Sequence, residues 1–419
     1  MSKVQNIKRI IFLKDVLVVA LSAYGGPNMH LALYNKRLVE EKKYLSTEEL
    51  LEIYSLCQML PGPSSTQTLV SIGYKFGGPF LAFLTLLVWV LPAAIILSVL
   101  ALFIGTFDEG LLNYLRFVQP VAIAFVLVAG IKMFSKSVHT KLDYVLAIFA
   151  FALAALARHP LEEYVKTPWI FPFVLLVGGV VSYLFTSRKP QPYEPIKIKI
   201  PWRYLVFFLA FFAIAAFFAK LSSDPLVILF ENNYRFGSLV FGGGNVLIPM
   251  MYEQFVNYTG TISSDEFITG IGLVQAVPGP IFTIASYTGG LAVRGGGVMQ
   301  QILGSGIGTV GIFLPGALLI FFIYPIWRQI KTHPLVVRAL PGVIAASAGL
   351  VIAAAYLMFL PVGLNWIETG NFYYTNLDTL NPINFAEIGI IAITGVFLFT
   401  TKIASPWYIV VALLAGIIF

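Results

Sequence analysis

The chain has 419 residues, 58% of them hydrophobic and only 11% charged, with a formal net charge of +7. A soluble chain of this length carries about 25% charge, so a large soluble domain is excluded and a polytopic membrane protein is expected. The single cysteine, Cys57, excludes an internal disulfide and a cysteine-based metal site, and the four histidines (His30, His139, His159, His333) lie far apart with no ligand spacing.

The first stretch, "MSKVQNIKRIIFLKDVLVVALSA", imitates a signal peptide in its basic start and apolar middle. Lys14 and Asp15 interrupt that middle, so it reads as retained structure, with the N-terminus cytoplasmic. From Arg9 to Tyr24 it covers about 24 Å of helix, short of the roughly 30 Å hydrocarbon core. A glycine-proline break follows at Gly25-Gly26-Pro27-Asn28, and a basic turn after it carries Lys36, Arg37, Lys42 and Lys43. The next apolar stretch is broken at Pro61-Gly62-Pro63. Both stretches read as re-entrant hairpins, 10–43 and 46–75, entering and leaving on the same side. Such breaks are tolerated in a bilayer only where they are packed in protein or line a wet cavity.

Full crossings are expected at 79–104, 111–134, 141–158, 168–187 and 203–220. A proline-rich, basic linker, "SRKPQPYEPIKIKIPWR" (187–203), precedes the last of these. Hairpins at 226–256 and 263–293 follow, then crossings at 298–323, 338–360, 384–401 and 405–419. The run "LGSGIGTVG" (303–311) has no preceding strand, so it reads as helix packing and not as a nucleotide loop.

The pattern occurs twice. "YGGPN" from Tyr24 matches "FGGGN" from Phe241, and "STEEL" from Ser46 matches "SSDEF" from Ser263. Gln58 with Pro61-Gly62-Pro63 matches Gln275 with Pro278-Gly279-Pro280, each pair 217 residues apart. The chain therefore divides into a first repeat (1–187), a basic linker with one orientation-inverting helix (188–220) and a second repeat (221–419). Five crossings between the copies set them in opposite orientations. Most lysines and arginines then fall on the cytoplasmic side, as the positive-inside rule requires. The expected fold class is an all-α polytopic membrane protein, an inverted-topology repeat of hairpins and transmembrane helices.

The breaks have a chemical reading. Proline is tolerated at the first turn of a helix because its missing N–H has no partner there anyway. Pro27, Pro63 and Pro280 can each begin an outgoing helix, while Gly25, Gly26, Gly62, Gly242, Gly243, Gly244 and Gly279 allow the turns before it. Helix N-termini present free N–H groups and the positive dipole end, which favours an anion. Asn28, Ser64, Ser65, Thr66, Asn245 and Thr283 follow directly and can replace part of an oxyanion's hydration shell. The candidate site also takes in Gln58, Pro61, Gln275, Pro278 and the intramembrane Arg235, with Lys14 in the neighbouring position of the first copy. Arg235 could equally pair with Glu231 one turn earlier, and the two glutamines could cap backbone carbonyls. An enzyme is not expected, because Asp15, Glu231 and Glu387 are isolated and no two histidines are near each other. No cofactor, metal or nucleic-acid partner is indicated. The partners are an anion and the lipid bilayer, and the oligomeric state is left open, a homodimer included.

At these residues the sequence resembles a known family. "YGGPNMHLALYNKRLVEEKKYLSTEELLEIYSLCQMLPGPSSTQTLVSIGY" is similar to the first-domain signature of the chromate ion transporter family. "FGGGNVLIPMMYEQFV" and "FITGIGLVQAVPGPIFTIASYTGG" are similar to the second, as in its long-chain, two-domain members. Tyr24 stands where the family usually has phenylalanine, whereas the second copy has Phe241. The resemblance implies export of chromate across the plasma membrane of a prokaryote. A dianion gains about 2.3 kcal/mol per charge per 100 mV on moving outward down a negative-inside potential. Proton coupling is left open, as are a sulfate carrier and an anion channel, because sulfate has the same charge and shape as chromate.

Overall fold

The computed structural model describes residues 3–24, 27–106, 115–156, 170–186, 200–241, 244–327, 333–364, 366–369, 372–375, 382–401 and 403–418. These residues are helical except for short connections and one antiparallel hairpin, Trp366–Thr369 paired with Phe372–Thr375. The described residues are predominantly helical, as expected, and this short hairpin is an addition that the expectation did not include. Its strands are rich in β-branched and aromatic residues and flank Gly370-Asn371, a strong short-range hairpin signal. Among the described residues, five helical stretches are long and apolar enough to cross a membrane: Ser64–Ile104, Val118–Ser137, Trp202–Leu221, Arg294–Ile326 and Val337–Leu360. Within the described residues, helices Lys141–Leu156 and Ile170–Phe185 fall inside the crossings expected at 141–158 and 168–187. The linker before Ile200 lies outside the described residues.

The first helix begins earlier than expected, at Lys3, and runs to Ser22 for 20 residues. That length, about 30 Å, would match the hydrocarbon core, so shortness does not distinguish it from a crossing. It is not among the five spanning candidates.

The chain forms two compact units, each drawing on both halves of the sequence. One comprises Met1–Gly105, Pro192–Gly244 and Val277–Thr332, the other Thr106–Gln191, Asn245–Ala276 and His333–Phe419.

In the first unit, helix Thr47–Met59 starts with a capping box. The Ser46 hydroxyl accepts from the Glu49 N–H, and the Glu49 carboxylate accepts from the Ser46 N–H, which satisfies two otherwise orphaned donors. Cys57 is fully buried here, as expected of a small apolar residue. The 43-residue helix Ser64–Thr106 is two helices joined at Gly77-Gly78, where Gly78 has φ +71°. The expected boundary between the hairpin ending at 75 and the crossing beginning at 79 falls at this kink. Helix Pro225–Leu239 starts with proline at its first turn after Asp224, which accepts from the Leu226 N–H at 2.8 Å. Helix Gly297–Ile323 carries the glycine run. A methyl at Gly304 would strike the Gly289 carbonyl, and one at Gly308 the Ala285 carbonyl. The run therefore serves close backbone packing, as small residues do between membrane helices.

The second unit is built around helix Pro334–Leu364, which packs on Val118–Ser137, Lys141–Leu156 and Ile170–Phe185. Glycines again set the approach. Gly342 and Gly178 each lie against the other's carbonyl, Gly349 lies against that of Ala147, and Ser182 donates to the Arg338 carbonyl at 2.7 Å. In this unit helix Ser264–Ala276 starts with the counterpart of the first capping box, Ser263 with Glu266. It packs Gly272 against Val118.

Candidate functional site

The two Pro-Gly-Pro turns adopt the same unusual backbone. Gly62 has φ +112° and Gly279 φ +139°, values that favour glycine strongly because a Cβ would collide with the backbone. Each turn is fixed by a hydrogen bond to the other repeat. The Gly62 N–H donates to the Val240 carbonyl at 2.7 Å, and the Gly279 N–H donates to the Ala23 carbonyl at 2.8 Å. Ala23 and Val240 are themselves 217 residues apart, so the two bonds are counterparts. Each joins the second break of one copy to the residue just before the first break of the other.

The helices begin one residue later than expected. Pro63 is not the first helical residue; its carbonyl accepts the first helical bond, from the Gln67 N–H at 2.8 Å. Pro280 is extended (φ −74°, ψ 138°) and precedes a 3-10 turn, Ile281–Thr283, that leads into helix Ile284–Ala292. In both turns a glycine of positive φ is followed by a proline that is not itself helical, and helical geometry starts only after it. Pro27 does open its helix, Pro27–Tyr34.

The starts of these two outgoing helices meet at one small cavity. His30, Pro63, Ser64, Ser65, Gly244, Pro280, Ile281 and Phe282 line it, and its free space of about 10 Å³ is room for a single water. A second recess, lined by Pro63, Thr66, Gln67, Val70, Leu86, Phe313, Gly316 and Ala317, lies behind the first Pro-Gly-Pro turn. Ser64, Ser65 and Thr66 are buried with their backbone at the helix start. The Thr66 hydroxyl accepts from the Trp89 indole at 2.9 Å, and the Tyr34 hydroxyl donates to the Ser65 carbonyl at 3.2 Å. Thr283 donates to the Pro280 carbonyl at 2.7 Å and so caps its own turn.

The other sequence candidates fall elsewhere. Arg235 is buried, but its Nε donates to Glu231 at 2.8 Å and its Nη2 to Asn232 at 2.7 Å, the local pairing that was the alternative. It is not among the residues lining either recess. Lys14 is exposed and contributes no charge to the cavity. Gln58 is half-buried and hydrogen-bonded to Tyr54. Gln275 is half-buried on helix Ser264–Ala276, in the second unit, and Pro278 is half-buried beside Gly279 in the first. Pro61 offers its carbonyl to the Gln67 amide at 2.8 Å. Gly25, Gly26, Gly242 and Gly243, with the side chains of Pro27, Asn28 and Asn245, lie outside the described residues.

Sequence reasoning passed over two residues that the fold brings to the breaks. Gln67 is 2% exposed and braces the first turn, while its Oε1 has no hydrogen-bond partner among the described residues. Its position three residues after Ser64 was the available signal. His30 was set aside because no other histidine stands near it in sequence, yet it lines the cavity.

A family model described as chromate transporter matches the chain twice, over residues 11–183 and 227–417. An uncharacterized transporter of Methanocaldococcus jannaschii is 24% identical over 84% of this chain and 85% of its own length. A chromate transport protein of Pseudomonas aeruginosa is 25% identical over 88% of this chain and 87% of its own. One of Cupriavidus metallidurans is 22% identical over 80% and 79%. No solved structure matches.

Proposed function

The chain belongs to the chromate transporter family, and from that premise we propose that it exports chromate, or a related tetrahedral oxyanion, across the plasma membrane. Substrate binds where the helices after Pro63 and Pro280 begin, and the observation that carries this reading is their convergence on one cavity. Backbone N–H groups at those starts, with the Ser64 and Ser65 hydroxyls, are the donors that replace water around an oxyanion. Among the described residues that line the cavity there is no lysine or arginine. Binding without a fixed counter-ion suits a carrier, which must release what it binds.

We read the two copies as an inverted repeat of re-entrant hairpins with the N-terminus in the cytoplasm. This reading is supported by the counterpart hydrogen bonds at Gly62 and Gly279 and by the paired capping boxes. A cavity with room for one water must widen to admit an oxyanion, so the conformation described is a closed stage of the cycle. That closure favours a carrier over an open anion channel. A negative-inside potential of 100 mV drives a dianion outward with about 4.6 kcal/mol, and a proton gradient is the other source of drive.

The test is flux of labelled chromate and sulfate in proteoliposomes under a potassium–valinomycin potential without a pH gradient. Saturable chromate flux that follows the potential is expected. Sulfate moved equally well would widen the substrate to tetrahedral dianions. No flux of either from folded protein would overturn the reading.

A further inference from the structure

The cavity holds one ionisable side chain. His30 is 1% exposed, and neither ring nitrogen has a hydrogen-bond partner among the described residues. The Ala23 carbonyl approaches the ring, but that oxygen accepts the Gly279 N–H and makes no hydrogen bond of normal geometry with the imidazole. A buried polar group without a partner is costly and rare, so this one calls for a partner that comes and goes.

The ring is also held in place. It meets Trp89 edge-on with centroids 5.3 Å apart and lies 6.4 Å from Tyr34. Both neighbours are tied to the helix that starts after the first Pro-Gly-Pro turn, Trp89 through the Thr66 hydroxyl and Tyr34 through the Ser65 carbonyl. Rigid support of an unpartnered donor is how preorganised binding groups are built.

The two copies differ here. Leu247 occupies the position 217 residues after His30, and Ile281 and Phe282 occupy those after Ser64 and Ser65. The polar side chains lining the cavity therefore come from the first copy alone, while the second supplies Gly244, Pro280, Ile281 and Phe282.

We propose that His30 is a substrate-binding residue, donating a ring N–H to the oxyanion in this cavity. The inference rests on the reading of the cavity as the transport site. It adds a directional side-chain donor to the backbone donors, placed on one copy only.

Two replacements separate binding from packing. His30→Phe keeps an aromatic ring against Trp89 but has no donor, whereas His30→Gln keeps a donor and loses the ring. In proteoliposomes, His30→Phe is expected to raise the KM for chromate and for sulfate at least tenfold, with His30→Gln within about threefold of wild type. In parallel, ring-15N-histidine labelling of the wild-type chain gives signals from only four histidines. The signal missing from His30→Gln should shift saturably as sulfate or chromate is added. Wild-type KM in a folded His30→Phe variant, or an unmoved His30 signal at oxyanion concentrations that saturate flux, would overturn the proposal while leaving the transport site intact. A wild-type protein that moves neither anion would overturn both. If His30→Phe does not fold, the labelled wild-type titration decides alone.

Discussion

Replacing Gly62 by alanine tests whether the Pro-Gly-Pro turn is a built device. At φ +112° a side chain costs about 1–3 kcal/mol in backbone strain. The new methyl would stand 2.9 Å from the Gln67 Nε2, pushing away the amide that holds the Pro61 carbonyl at 2.8 Å. Losing that hydrogen bond adds about 1 kcal/mol. The sum, about 2–4 kcal/mol, corresponds to a population change of roughly 30-fold to several hundredfold. Gly306→Ala is the control: nothing lies within 4 Å of a methyl there, and alanine gains about 1 kcal/mol over glycine inside a helix. Thermal unfolding in detergent and chromate flux in proteoliposomes would be measured on both variants. Gly62→Ala should lose more than tenfold in flux and melt lower, while Gly306→Ala melts at or above wild type with flux unchanged. Wild-type flux and melting in Gly62→Ala would refute the assignment of the turn.

At Gly279 the obstacle is the Ala93 methyl at 2.7 Å, which cannot swing aside, so Gly62→Val with Gly279→Val should abolish flux in protein that still reaches the membrane; quantitative blotting beside the flux assay checks this. Asp15 is buried and takes bonds from Arg37 and Tyr44, each at 2.7 Å; Asp15→Asn should cost about 2 kcal/mol of stability, read as a lower melting temperature with an unchanged KM for chromate. Glu231→Gln would remove the carboxylate charge that meets the buried Arg235 Nε at 2.8 Å, at a cost of about 3–5 kcal/mol. Glu231→Gln combined with Arg235→Met should recover most of that loss in the same melting assay, and no recovery would mean that the arginine has a task beyond the pair. Gly289→Val should weaken the contact with Gly304, where the backbones leave no space for a side chain, and lower the melting temperature; an unchanged value would contradict the packing described.

The breaks were legible in the sequence because they use residues whose backbone physics is distinctive. Pro-Gly-Pro at one spacing from "YGGPN" and "FGGGN" marks both the repeat and the turns, and the kink at Gly77-Gly78 also falls where the apolar runs divide. The capping boxes at Ser46 and Ser263 were visible only as repeat anchors. His30 was not legible, because its environment is assembled from Trp89, Ser64 and Pro280, far from it along the chain. Arg235 illustrates the opposite error. A cation inside a membrane segment invites a functional reading, but its partners lie three and four residues back on the same helix. Asp15 was read as an interruption of an apolar run and as an isolated carboxylate, since its partner Arg37 comes 22 residues later, beyond the Gly-Gly-Pro break.

The crossed hydrogen bonds at Gly62 and Gly279 bear on how such a chain is synthesised. Either half made alone would carry one donor and one acceptor with nothing to meet them, in surroundings that offer little water. Each half is therefore an incomplete product until the other emerges from the ribosome. Covalent fusion through 188–220 supplies that second half on the same chain, which turns their meeting into an intramolecular event. It also fixes the ratio of the halves at one to one, so that neither turn is left over without its acceptor from the other copy.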